Sequence, residues 1–196
     1  MSLKHIMLGM LREPHSGYDI KKQFSQSVNN FWRAELSQIY PLLQKMEREG
    51  LLRSEEAASE IGPTRRVYHR SAKGRRELED WLLAGPTLGK ERIGYLAQTY
   101  FLANLQDDNK AVAFFQELRA YMQDWLSTLE STEKEWREND PRYPDALPDE
   151  EFYPQLTLDM GLNRVRANIE WCDRSLARIR ARKGHAEGQR RSSAGD

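Results

Sequence analysis

Along the first third of the chain, apolar residues recur at helical spacing, and the period then changes. Leu3, Ile6, Met7, Met10 and Leu11 follow i, i+3, i+4, i+7, i+8, the stripe of a helix with one buried face. Pro14 ends that helix, because a proline disfavours helical geometry in the residue before it. Ser16-Gly17-Tyr18-Asp19 has capping-box spacing, in which a serine caps an amide and an acid three residues on returns the bond. It predicts a second helix that buries Ile20, Phe24, Val28 and Phe31. In the next helix Leu36, Ile39, Leu42, Leu43 and Met46 gather on one side, leaving Ser37, Pro41, Gln44, Lys45 and Arg48 on the other. After Gly50 the period falls to two. Leu51 to Ser54 and Arg65 to Arg70 read as strands, the second with Val67 and His69 on one side and Arg66, Tyr68 and Arg70 on the other. Gly62-Pro63 is a turn signal between them. Ser71 then caps a further helix that carries Leu78, Trp81 and Leu82 inward.

Past Gly85-Pro86 the pattern is helical throughout. Ile93, Leu96, Ala97, Tyr100 and Phe101 mark one helix, and Asp107-Asp108-Asn109 breaks it. A second carries Phe114, Phe115, Leu118, Tyr121, Met122, Trp125 and Leu129, reaching toward Trp136. Asp140 to Pro148 is a proline-bearing linker that no helix crosses intact. Beyond it Leu158, Leu162, Val165, Ile169, Cys172, Leu176 and Ile179 are spaced 4, 3, 4, 3, 4, 3. That is a heptad seam, built to pack lengthwise on another helix. Left in water it would cost on the order of ten kcal/mol. Its length favours a partner chain as the cover, and the two upstream helices of the same chain are the alternative. From Gly184 the composition gives no reason to fold, and a disordered tail, 184–196, is expected.

The outer face of the third helix is small, polar and basic, which suits a helix entering a DNA major groove. An ordinary solvated helix face looks the same. What distinguishes the two is the arginine-bearing hairpin that follows, since helix then two-stranded hairpin is the winged helix-turn-helix arrangement. There arginines pair with backbone phosphates. Four stretches then carry a family resemblance. They are Leu8-Gly9-Met10-Leu11 with Gly17-Tyr18-Asp19-Ile20; Ser37-Gln38-Ile39-Tyr40-Pro41-Leu42-Leu43; Leu43-Gln44-Lys45-Met46-Glu47-Arg48-Glu49-Gly50-Leu51-Leu52; and Val67-Tyr68-His69-Arg70-Ser71-Ala72-Lys73-Gly74. In order and spacing these resemble PadR-type transcriptional regulators of the longer type. Arg70 stands where an apolar residue is common in the family, and Ser71 replaces the more usual Thr.

The resemblance implies a mainly α protein. Residues 1–86 would form a winged helix-turn-helix of three helices and a two-stranded wing, and 87–183 an all-helical dimerisation domain. It further implies a repressor that binds palindromic double-stranded DNA as a homodimer and that a small aromatic effector relieves. Ser37, Gln38, Tyr40, Gln44, Lys45 and Arg48 are then the candidates for base edges and phosphates, with Tyr40 equally suited to packing on the hairpin. Arg65, Arg66, Arg70 and Lys73 are the phosphate candidates, and Leu158, Leu162, Val165, Ile169, Cys172, Leu176 and Ile179 the dimer contact. A winged helix can also serve as a protein-interaction module without DNA binding, its basic wing merely solvated.

The net charge of zero gives way to segregation along the chain: net +3 over residues 1–85, −8 over 86–163 and +5 over 164–196. The one cysteine excludes an intrachain disulfide and fits a reducing cytoplasm. The start, MSLKHIMLGML, has no small-residue cleavage signal, and no segment has the apolar length of a membrane span. His5, His15, His69 and His185 are scattered without ligand spacing, so neither metal nor other cofactor is expected, and nothing nominates a catalytic residue.

Overall fold

The computed structural model describes residues 3–28, 31–32, 36–57, 65–89 and 91–193, with the backbone alone at 26, 36 and 183–193. The chain divides into two compact units, Met1–Lys90 and Glu91–Asp196.

The first unit begins with α1 (Leu3–Met10), a two-residue strand β1 (His15–Ser16) and α2 (Gly17–Gln26). A 3-10 turn, Leu36–Gln38, leads into α3 (Ile39–Arg48), followed by β2 (Leu52–Ala57), β3 (Arg65–Arg70) and α4 (Ala72–Leu83). The three strands form one antiparallel sheet in the order β1-β3-β2. The two-stranded wing expected from the sequence therefore gains a third strand, which at two residues is too short to show a period. β2 also runs three residues further than its apolar pattern, with Glu55, Glu56 and Ala57 in register with Val67, Arg66 and Arg65. The turn signal Gly62-Pro63 lies outside the described residues.

The core of this unit is Met7, Leu8, Leu11, Ile20, Phe24, Ile39, Leu43, Met46, Leu51, Leu52 and Tyr68, drawn from every helix but α4, whose Leu78 packs against it. Two sequence expectations fail here. Phe31 is 62% exposed, because α2 stops at Gln26. The Ser25 and Ser27 hydroxyls bond back to Lys22 O and Gln23 O, which weakens a helix end. Leu82 is 62% exposed. α1 is only eight residues long and is already engaged by Glu77 and Trp81, which meet Lys4 and His5, the latter stacked on Trp81 at 4.9 Å. Leu82 lies beyond that contact.

Two junctions set the pitch of α3. At its exit Gly50 takes φ +74°, Gly50 N–H donates to Glu47 O and Leu51 N–H to Met46 O, a Schellman stop. The amino end of α4 docks on the same turn. Ser71 N–H donates to Leu51 O (3.0 Å), Ser71 Oγ to Gly50 O (2.7 Å) and Lys73 Nζ to Glu49 O (2.8 Å). Gly74 permits this approach, since a Cβ there would stand 2.3 Å from Leu51 O.

In the second unit α5 (Gly94–Tyr100) and a 3-10 turn (Leu102–Leu105) precede two long helices, α6 (Asp108–Asn139) and α7 (Asp149–Ser193). Asp107 caps α6 through Asn109 N–H. In the connector Arg142 grips Asp140, its hydrogen bonds holding that carboxyl down at about 2. The heptad seam packs on α6 of its own chain. Leu162 and Val165 lie with Met122 and Leu129, flanked by Leu158 and Ile169. Cys172 and Leu176 lie with Phe115, flanked by Ile179. Leu158, Leu162, Val165, Ile169, Cys172, Leu176 and Ile179 thus have the same-chain cover that the sequence offered as the alternative to a partner chain. α6 is long enough to match the seam and carries a complementary stripe of its own. The α7 backbone is helical through Ser193, past the Gly184 where a disordered tail was expected; Ala186, Glu187, Gln189, Arg190 and Arg191 all have good helix propensity. Residues 194–196 lie outside the described residues.

Candidate nucleic-acid interface

The exposed side of the α3 segment is built by elimination. Ile39, Leu43 and Met46 are fully buried and Leu42 packs beside them, which leaves the polar positions facing outward. Ser37, Gln38, Pro41, Gln44, Lys45 and Arg48 are all exposed. Tyr40, at 45% exposure, sits on the boundary of the two faces.

Beside this face runs an open groove of about 440 Å³, lined by Ser16, Gly17, Tyr18, Tyr40, Gln44, Arg65, Arg66 and Tyr68. Three elements meet there: the amino end of α2, the α3 face and the outer half of β3. The Tyr40 ring lies directly on the α2 start, where a Cβ on Gly17 would come within 2.4 Å of Tyr40 Cε1. Ser16 caps α2 by accepting from Asp19 N–H (3.2 Å), and Asp19 Oδ2 accepts from Ser16 N–H and Oγ at 3.1 and 2.7 Å. These bonds, the side-chain one foremost, hold the Asp19 carboxyl below the usual range, helped by the Arg65 charge.

Sequence reasoning missed Tyr18, the most exposed aromatic of the groove at 68%. Its position inside the capping box identified it with helix initiation only. An aromatic on the solvent side of a helix start was the signal available.

The four cations assigned to phosphates separate in the structure. Arg65 is exposed in the groove. Arg66 also lines it, but its Nε donates to Ser54 Oγ (2.6 Å) and its Nη2 to Glu47 Oε2 (2.8 Å) and Oε1 (3.0 Å). Arg70 is half-buried and donates through Nη1 to Leu8 O at 3.0 Å. Burial, and then the charges of Arg75 and Arg12, push its pKa down. Lys73 bonds the end of α3. On the strand face shared by Arg66, Tyr68 and Arg70, Arg66 stays exposed while Tyr68 is buried, its hydroxyl pKa raised by that burial. Among the described residues no His, Cys, Asp or Glu cluster could hold a metal ion. Cys172 is buried in the second unit, where burial raises its thiol pKa and keeps it unreactive. No described helix is long and apolar enough to cross a membrane.

Two family profiles tile most of the chain. That of the transcriptional regulator PadR-like family matches residues 7–80, and that of the virulence activator alpha C-terminal domain matches residues 96–180. The chain is 28% identical to the negative transcriptional regulator PadR of Bacillus subtilis over 179 residues, spanning 90% of this chain and 97% of that protein. The structure of B. subtilis PadR in complex with operator DNA superposes with a TM-score of 0.78, covering 90% of this chain and 98% of that one. Its complex with p-coumaric acid gives 0.74, covering 90% and 94%. The virulence activator AphA of Vibrio cholerae, 26% identical, gives 0.71 and covers 92% of this chain and 99% of its own. With a winged N-terminal unit, a paired-helix C-terminal unit and profiles matching each, the chain belongs to the PadR-like family of transcriptional regulators, in its longer form.

Proposed function

We propose that this regulator is a sequence-specific DNA-binding repressor that acts in the cytoplasm, without catalytic chemistry, as a homodimer on a two-fold operator. The observation that carries this reading is the union of the exposed α3 face with the groove holding Tyr18, Tyr40, Gln44 and Arg65. Gln44 and Lys45 are long, exposed and donor-bearing, which suits base edges in a major groove. Arg65 and the amino end of α2 suit phosphates. Ser37, Gln38 and Arg48 extend the same surface. Arg70 and Lys73 are engaged by backbone carbonyls and serve the fold instead.

The B. subtilis relative bound to operator DNA supports the nucleic-acid partner, and its p-coumaric acid complex supports an aromatic acid as the class of effector. With the heptad seam covered, the second copy has another surface on α7. Tyr153, Leu156 and Met160 are exposed and lie on the side opposite the seam. A two-fold contact there presents two equivalent α3 helices. In analytical ultracentrifugation Leu156→Glu with Met160→Glu should sediment as a monomer with wild-type helicity. A dimer that survives both charges places the interface elsewhere.

The function itself is tested by gel shift in graded salt. A DNA binder gives a discrete complex whose affinity falls linearly in log–log form, with a slope set by the phosphates neutralised. A winged-helix interaction module gives no discrete complex at any salt.

A further inference from the structure

We propose that Glu47 and Arg66 form a bracket that fixes the wing against the recognition helix, so that Arg66 acts on sequence discrimination as a positioning residue and not as a phosphate contact. This rests on the DNA-binding reading above.

Glu47 stands in the last turn of α3, Ser54 on β2 and Arg66 on β3. Their polar atoms close a single ring of bonds. Ser54 Oγ donates to Glu47 Oε1 at 2.5 Å and accepts from Arg66 Nε at 2.6 Å. Arg66 Nη2 reaches both Glu47 oxygens, at 3.0 and 2.8 Å. The guanidinium lies 5.8 Å from the centroid of the Tyr68 ring, which is itself buried in the core. Three elements are thereby joined through one carboxylate. The Nε and Nη2 edge of Arg66 is turned to the protein, and its charge is already met by Glu47. Arg65, one residue earlier, is exposed in the groove and has no part in this ring.

The consequence follows from geometry. β1 pairs only with Val67 and Tyr68, so the outer end of the wing is a two-stranded ribbon that twists easily without a further tie. The bracket supplies one within a turn of Gln44. If α3 and the wing meet the duplex as one rigid body, a base contact on α3 depends on where the wing sits. Loosening the bracket then misplaces α3 at base edges while leaving phosphate charge counts nearly unchanged.

Four variants test this: Arg66→Ala, Arg66→Lys, Glu47→Gln and the Glu47→Gln/Arg66→Ala double, with Arg65→Ala as the comparator. Lysine keeps the charge that a phosphate needs but cannot bridge serine and carboxylate from one planar fork. Each protein is titrated in graded salt against two probes, a duplex enriched by the wild type from a random-sequence pool and a scrambled duplex of equal length. The Nε–H resonance of Arg66 is followed by NMR without DNA.

The expected result is that Arg66→Ala, Arg66→Lys and Glu47→Gln each lower the selected-over-scrambled affinity ratio by on the order of tenfold. The double variant is no worse than either single one, the salt slope holds, and only Arg65→Ala flattens it. The proposal is overturned if Arg66→Ala flattens the slope by about one unit while Arg66→Lys restores it, as for a phosphate contact. Losses that multiply in the double variant also overturn it. A wild-type Nε–H resonance that is unaltered by Glu47→Gln removes the bracket itself, whatever the DNA results. No salt-dependent complex of the wild type removes instead the DNA-binding reading, and the bracket's role with it.

Discussion

Ser16 and Asp19 together start α2, and Ser16 also lines the groove. Because the Asp19 carboxylate accepts from Ser16 Oγ and N–H, its ionised form is favoured in the fold and its pKa is lowered. The sign of the linkage follows. A depressed carboxyl stabilises the fold fully above its unfolded value of about 4 and loses that contribution as pH falls through the folded value. Asp19→Asn should therefore lower stability by about 1 kcal/mol at neutral pH. The thermal midpoints of variant and wild type should converge as the pH falls through the lowered folded value. A gap that persists in acid shows that the loss comes from packing and not from the charge. The capping box was legible in the sequence because its spacing is a local rule. The fates of Arg66 and Arg70 were not, since the partners that claim them, Glu47 and Leu8, lie 19 and 62 residues away.

Among the elements, the long helices teach the clearest lesson. The α7 seam is visible in the sequence and its length favours a partner chain, yet α6 of the same chain packs on it. The missing signal lies in α6, where Phe115, Leu118, Met122, Trp125 and Leu129 are spaced 3, 4, 3, 4. Two complementary seams joined by a short connector form an antiparallel pair within one chain. On α6, Phe115, Met122 and Leu129 are core. Val165→Glu with Ile169→Glu places two charges in that core and should cost more than about 4 kcal/mol. Circular dichroism should show the second unit losing its helix, while the capped and sheeted first unit retains its own. A folded, helical monomer would instead return the seam to a partner chain. β1 escaped notice for the opposite reason: two residues have no period, and only the ladder to Val67 and Tyr68 defines it.

For the whole molecule, the segregation of charge matches the division of labour. The mildly basic N-terminal stretch carries the groove, and α6 lies wholly in the acidic middle. That much was readable from residue order alone, as were α1 to α4 and the outward face of α3. The groove was not, because Tyr18, Tyr40 and Arg65 are distant in sequence and become neighbours only when α2 packs on α3 under β3. The central claim is that this surface chooses a DNA sequence through the exposed edge of α3. Selection of duplexes from a random pool by the wild type and by Gln44→Ala tests it most directly. The wild type should enrich a two-fold symmetric site, and Gln44→Ala should relax the choice at one symmetric pair of base positions while binding scrambled DNA as tightly as before. An unenriched pool, or the same site enriched equally by both proteins, would contradict the account.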